Sequence, residues 1–141
     1  MLRLALVLVL VLAAFGVAAL ASRRKDQGTP VTTRGNLPTH VRRSDFVRPD
    51  AAWLVVLFSS ATCASCAEAR KIVEPLDSAE VAVAEVEFAA HRSLHERYDI
   101  DAVPSVIVCD GSGAVRASFL GPPKAADLWS TLAELRDQEI D

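Results

Sequence analysis

Cysteine is scarce in this chain, three residues in 141, and histidine is equally rare. At most one internal disulfide can form, and a histidine-rich metal site has too few ligands. His91 and His95 stand four apart and could share a helix face, but no third ligand accompanies them, so a solvated face is expected there. No segment repeats, which excludes a solenoid or a repeat array. The basic stretch near the N-terminus has no interleaved aromatic residue and precedes an acidic region, which argues against a nucleic-acid partner.

Charge and proline are both missing from residues 4–21, "LALVLVLVLAAFGVAALA". As a helix this run would be about 27 Å long, close to the roughly 30 Å of a hydrocarbon core. Residues 1–22 are therefore expected to form a single-pass anchor in the cell membrane. A cleaved signal peptide is the alternative, with Ala19-Leu20-Ala21 as a small-x-small site. Against it, the run exceeds the usual length, and Arg23, Arg24 and Lys25 follow at once. Positive charge lies mainly after the run, so the positive-inside rule favours a cytoplasmic C-terminal domain. An exported domain is the other topology, because long domains cross membranes regardless of charge.

Net charge then reverses along the chain. Residues 22–48 carry +5, and residues 49–141 carry −9. Residues 23–43, rich in Thr, Gly and Pro and without an apolar period, read as a basic tether, solvated or lying on anionic headgroups. The folded domain is expected over residues 44–141. Its elements read as a buried strand from Trp53, a helix from Ala67 to Leu76 kinked by Pro75, a strand over residues 80–88 and a short helix capped by Ser93. The strand "SVIVC", a hairpin turn at Asp110-Gly111-Ser112-Gly113, a returning strand and a helix started by Pro122 and Pro123 complete the order. A strand–helix–strand unit joined to a hairpin and a covering helix predicts an α/β sandwich around a mixed sheet.

Two of the cysteines stand as Cys63-Ala64-Ser65-Cys66, between the first strand and the first helix. A helix N-terminus presents unpaired N–H groups and the positive end of the dipole, both of which favour a thiolate. Cys63 is thus expected to be the exposed nucleophile. Cys66, one turn further in, can reach the same sulfur and resolve a mixed disulfide. A static disulfide, or two small buried residues, is the plain structural alternative.

With "YDIDAVPSVIV" some 40 residues further on, residues 44–140 resemble the thioredoxin-like family. The resemblance implies a thioredoxin-like fold and a redox-active disulfide Cys63–Cys66 that exchanges with protein thiols and disulfides. It implies a cis-proline at Pro104, with Val103 offering its backbone to an extended substrate segment, and it matches Gly121 after the last strand. No cofactor is implied, only a redox partner that resets the pair. Two features depart from the family. Leu57 occupies the position of a buried aspartate, and the Trp-Cys-Gly-Pro-Cys surround is absent. Glu85 on the neighbouring strand is a candidate proton relay in place of that aspartate, with Glu87 the other candidate. Either residue could instead lie on a solvated edge or pair with a cation.

Two other function classes stay open. The motif, helix and following strand are similar to heavy-metal-associated domains, and two thiolates suit Cu(I). That fold, however, needs a hairpin where this chain has "HRSLHERYDIDAVPS", and the usual methionine before the motif is missing. A tethered, redox-inactive binding module of thioredoxin-like fold is the third class. Cys109 reads as a buried small hydrophobe or, less simply, as a regulatory thiol. Trp53 and Trp129 read as core or rim packing.

Overall fold

The structure is a computed structural model that describes residues 37–140, with side chains to residue 138. The apolar segment 1–22 and most of the tether lie outside the described residues. Among the described residues, no helix is long and apolar enough to cross a membrane.

β1 (Trp53–Ser59) is buried along its whole length. Its run of apolar and β-branched residues suits a strand covered on both faces. It pairs in parallel with β2 (Val81–Glu87) and antiparallel with β3 (Ser105–Cys109), and β3 pairs antiparallel with β4 (Val115–Leu120). The mixed four-stranded sheet has the order β2-β1-β3-β4.

Alternation along the strands builds two cores. Leu54, Val56 and Phe58 join Ala82, Ala84, Val86 and Ile107 on one face. Trp53, Val55 and Leu57 join Val81, Val106 and Val108 on the other. This second face is covered by α1 (Ala64–Val73) and α3 (Ala125–Ile140). From α1 come Ala69 and Val73, and from α3 Leu128 and Leu132. The inward residues of α1, Cys66, Ala69 and Val73, recur at helical spacing. Pro75 lies in a 3-10 turn, Glu74–Leu76, because its ring cannot supply the next helical N–H.

The first face is covered by α2 (Arg92–Arg97), Tyr98 and the segment before β1. α2 is capped two residues earlier than the expected Ser93 cap. His91 is the N-cap residue, and Ser93 lies inside the first turn. The reason is the preceding turn, closed by the His91 N–H donating to the Glu87 carbonyl at 2.9 Å.

The last residues of the stretch read as a tether belong to the folded unit. His40 bridges Ala114, and the Val41 N–H donates to the Gly113 carbonyl at 2.8 Å. Val41 is 1% exposed in the core. Packing therefore begins ahead of Ser44, because the β3–β4 hairpin offers Val41 an apolar seat.

Candidate active site

The end of β1 positions the cysteines. After Ser59 the chain turns through Ser60, Ala61 and Thr62, and the Cys63 N–H donates back to the Ser60 carbonyl at 3.1 Å. Cys63 is the N-cap of α1, with extended backbone that makes no side-chain cap. Cys63 and Cys66 are joined in a disulfide, with Cα atoms 5.4 Å apart. The two sulfurs differ in access: Cys66 is 1% exposed on the inward face of α1, whereas Cys63 is half-buried at the rim.

The Val103–Pro104 peptide bond is cis. Ser105, the next residue, stands opposite Phe58 in the β1–β3 register, so this segment lies at the same end of the sheet as the cysteine loop. The Pro104 carbonyl accepts the Gly121 N–H at 2.8 Å, and the Ser105 hydroxyl donates to the Ala102 carbonyl at 2.7 Å. A cleft of about 200 Å³ opens between Ser60, which leads into the cysteine loop, and Val103, with Phe88, His95 and Ile100 among its walls.

Among solved structures, the chain is similar to one described as the structure of a malarial protein, with a TM-score of 0.53 and 14% identity over 59% of this chain and 96% of that one. It is also similar to the reduced Schistosoma mansoni thioredoxin pre-protein, with a TM-score of 0.51 and 18% identity over 60% of this chain and 80% of that one. The fold is thioredoxin-like. No protein-family model matches the chain, and no curated protein matches it.

In this thioredoxin-like fold, β2 is followed by α2 and not by the hairpin that a heavy-metal-associated domain needs. Among the described residues, no group of three or more His, Cys, Asp or Glu side chains is placed to hold a metal ion.

The carboxylates beside the motif are tied to other groups. Glu85 stands opposite Leu57 across the β1–β2 pairing. It accepts from Arg70 Nε at 2.7 Å and from the Ser59 hydroxyl at 2.6 Å. The hydrogen bond from Arg70 leads in holding its carboxyl below the ordinary value, against a smaller opposing effect of burial. Of the sequence expectations for Glu85, a proton relay, a solvated edge or a cation partner, this geometry shows the cation partner. A carboxylate so held stays ionised near neutrality. Leu57 itself is fully buried and apolar.

Glu87 has a positional job that the sequence did not reveal. One oxygen accepts the Ala61 N–H at 3.1 Å and the other the Ala90 N–H at 2.9 Å. Backbone N–H groups, Ala90 first, hold its carboxyl below the ordinary value. Glu87 therefore fastens the loop before Cys63 to the turn after β2. An acidic residue at the end of an edge strand beside the motif was the available signal.

His95 corrects the expectation of a solvated histidine face. His91 is exposed, but His95 is 2% exposed. Its Nε2 lies 2.9 Å from the Val86 carbonyl, and its ring meets Phe58 and Phe88 edge-on at 5.3 and 5.2 Å. The aromatic box and the carbonyl together satisfy an imidazole that the apolar face of α2 draws inward.

Cys109 lies in the core at the opposite end of β3, and burial pushes its thiol up to about 12. It packs as a small hydrophobe. Trp53 is buried, while Trp129 is 46% exposed at the rim, where its indole N–H donates to the Ile72 carbonyl at 3.1 Å.

Proposed function

We propose that the protein is a thiol–disulfide oxidoreductase tethered to the cell membrane by residues 1–22. The observation that carries the reading is the unequal access of the two sulfurs in a thioredoxin-like fold: Cys63 at the rim, Cys66 on the inward face of α1. In the reducing direction, the Cys63 thiolate attacks a substrate disulfide, forms the Cys63–substrate disulfide and releases one substrate thiolate. The Cys66 thiolate then attacks Cys63 Sγ. The Cys63–Cys66 bond forms, the second substrate thiolate leaves, and two electrons have passed to the substrate. A dithiol partner resets the pair. The same steps in reverse oxidise a substrate dithiol.

Val103 lines the cleft beside Ser60, which leads into the cysteine loop, and Pro104 follows it in the chain. An extended substrate segment beside Val103 would take up its backbone groups, as the family resemblance implies. The anchor rests on the length and apolarity of residues 4–21, and the seven cationic residues of 22–48 favour a cytoplasmic domain.

The deciding experiment is the reduction potential of the pair, measured by equilibration with glutathione and dithiothreitol buffers. A reversible two-electron couple between about −270 and −120 mV is expected. The low end would identify a reductase, in keeping with a cytoplasmic placement. The high end would identify an oxidant or isomerase and favour an exported domain. If no reversible couple appears, the exchange reading falls.

A further inference from the structure

At the opposite end of the sheet from the cysteines, a cleft of about 490 Å³ opens where the chain enters the fold. This volume is within the range of small-ligand sites. Its walls include His40, Arg42, Arg43, Arg97, Tyr98 and Ser112, and no carboxylate lines it among the described residues. Three arginines converging on one cavity in an otherwise acidic domain call for an explanation.

Arg43 is the central observation. It is 8% exposed, and among the described residues no carboxylate lies within ion-pair distance of it. Its Nη1 donates to the Asp110 carbonyl at 2.9 Å and its Nη2 to the Ala51 carbonyl at 2.9 Å. Its Nε–H is buried and has no hydrogen-bond partner. A buried, unpaired charge with an idle donor is costly unless an opposite charge meets it.

The other walls supply more donors. Arg97 uses one N–H on Asp45, at 2.8 Å, of the five that a guanidinium carries. The Arg42 side chain is exposed and makes no ion pair among the described residues. Asp45 is occupied by Arg97 and by the Tyr98 hydroxyl at 2.6 Å, and the Asp110 carboxylate by Ser112 and Arg116. The side chains lining the cavity thus carry three positive charges, and among the described residues only Arg97 of the three is ion-paired.

We infer that this cleft binds a phosphate group, either of a free phosphate ester or of an anionic lipid headgroup. Planar guanidinium forks suit phosphate oxygens. The site is independent of the thiol chemistry and stands or falls separately from it.

The test follows the arginine Nε–H signals of the ¹⁵N-labelled full chain by NMR in uncharged maltoside micelles. One arm titrates inorganic phosphate at ionic strength matched with chloride. The other adds phosphatidic acid to the micelles. Saturable shifts at Arg43 and Arg97 are expected in at least one arm. In Arg42→Gln the affinity should fall about tenfold, with disulfide exchange intact. A response to inorganic phosphate alone assigns free phosphate as the source. A response to phosphatidic acid alone assigns the lipid headgroup. The inference is overturned if neither arm gives saturable shifts, or if Arg42→Gln binds as tightly as the native chain.

Discussion

Leu57 and Glu85 face each other across the parallel β1–β2 register, an apolar side chain where the family resemblance expects a buried acid and an acid on the neighbouring strand. The acid is held by Arg70 and the Ser59 hydroxyl. Glu85→Gln is therefore expected to change the rate of disulfide exchange by less than about twofold, since a residue that does not touch the reacting atoms contributes little to the barrier. A tenfold or larger loss in a stopped-flow exchange assay would restore the relay role.

The same pair carries a pH dependence. The folded-state pKa of Glu85 lies below its ordinary value of 4.5. The ion pair's contribution to stability is therefore complete above that ordinary value and is lost as pH falls through the lowered folded value. Arg70→Ala removes the main cause, so its stability should fall less steeply on acidification. Urea midpoints between pH 3 and pH 7 for both chains measure this. Equal slopes would show that Arg70 does not hold Glu85.

Cys63→Ser should abolish exchange, whereas Cys66→Ser should accumulate covalent complexes through Cys63 that dithiothreitol releases. Non-reducing electrophoresis followed by mass spectrometry reads both. Full exchange by the Cys63 variant would reverse the assigned roles.

Cys109 should not react. With its thiol pushed up to about 12 and its side chain fully buried, the reduced native protein should titrate two thiols at pH 8, and a third only in guanidinium. Cys109→Ser, which places a hydroxyl in the same apolar seat, should cost roughly 1–3 kcal/mol in a denaturant titration.

Two glycines should respond differently to alanine. Gly113 has φ +91°, and a Cβ there would stand 2.1 Å from the Val41 carbonyl oxygen. Gly113→Ala should therefore cost well over the roughly 1–2 kcal/mol of the left-handed conformation alone, because the Val41 segment must move. Gly121 has φ +83° but open space around it, so Gly121→Ala should cost only that conformational amount. Thermal unfolding of the two variants side by side tests the difference.

The elements near the cysteines were legible because their signals are local. An unbroken apolar strand, a cysteine pair at a strand–helix junction, Val-Pro-Ser and Asp-Gly-Ser-Gly each announce themselves within ten residues. His95 was not legible, because its partners Phe58 and Val86 come from two other strands and a six-residue helix does not declare its inner face. Nor was the packing of residues 40–43 against the hairpin. Val41 and Arg43 sit in a stretch with no apolar period, and they are buried only because the hairpin at residues 110–114 closes over them. Glu85 stayed ambiguous for the same reason: its reading depends on Arg70, fifteen residues earlier on a different element.

Under the proposed tether, the seam between residues 39–41 and 113–115 would take the mechanical load. Val41 and Val115 donate across it to Gly113 and Thr39. Tension arriving through residue 37 is taken up at the hairpin pole, while Cys63 follows the far end of β1, about 20 Å away along the strand. Under the tethering proposed above, suspension and substrate traffic would use opposite poles, and a domain hung from its hairpin would present its sulfurs outward.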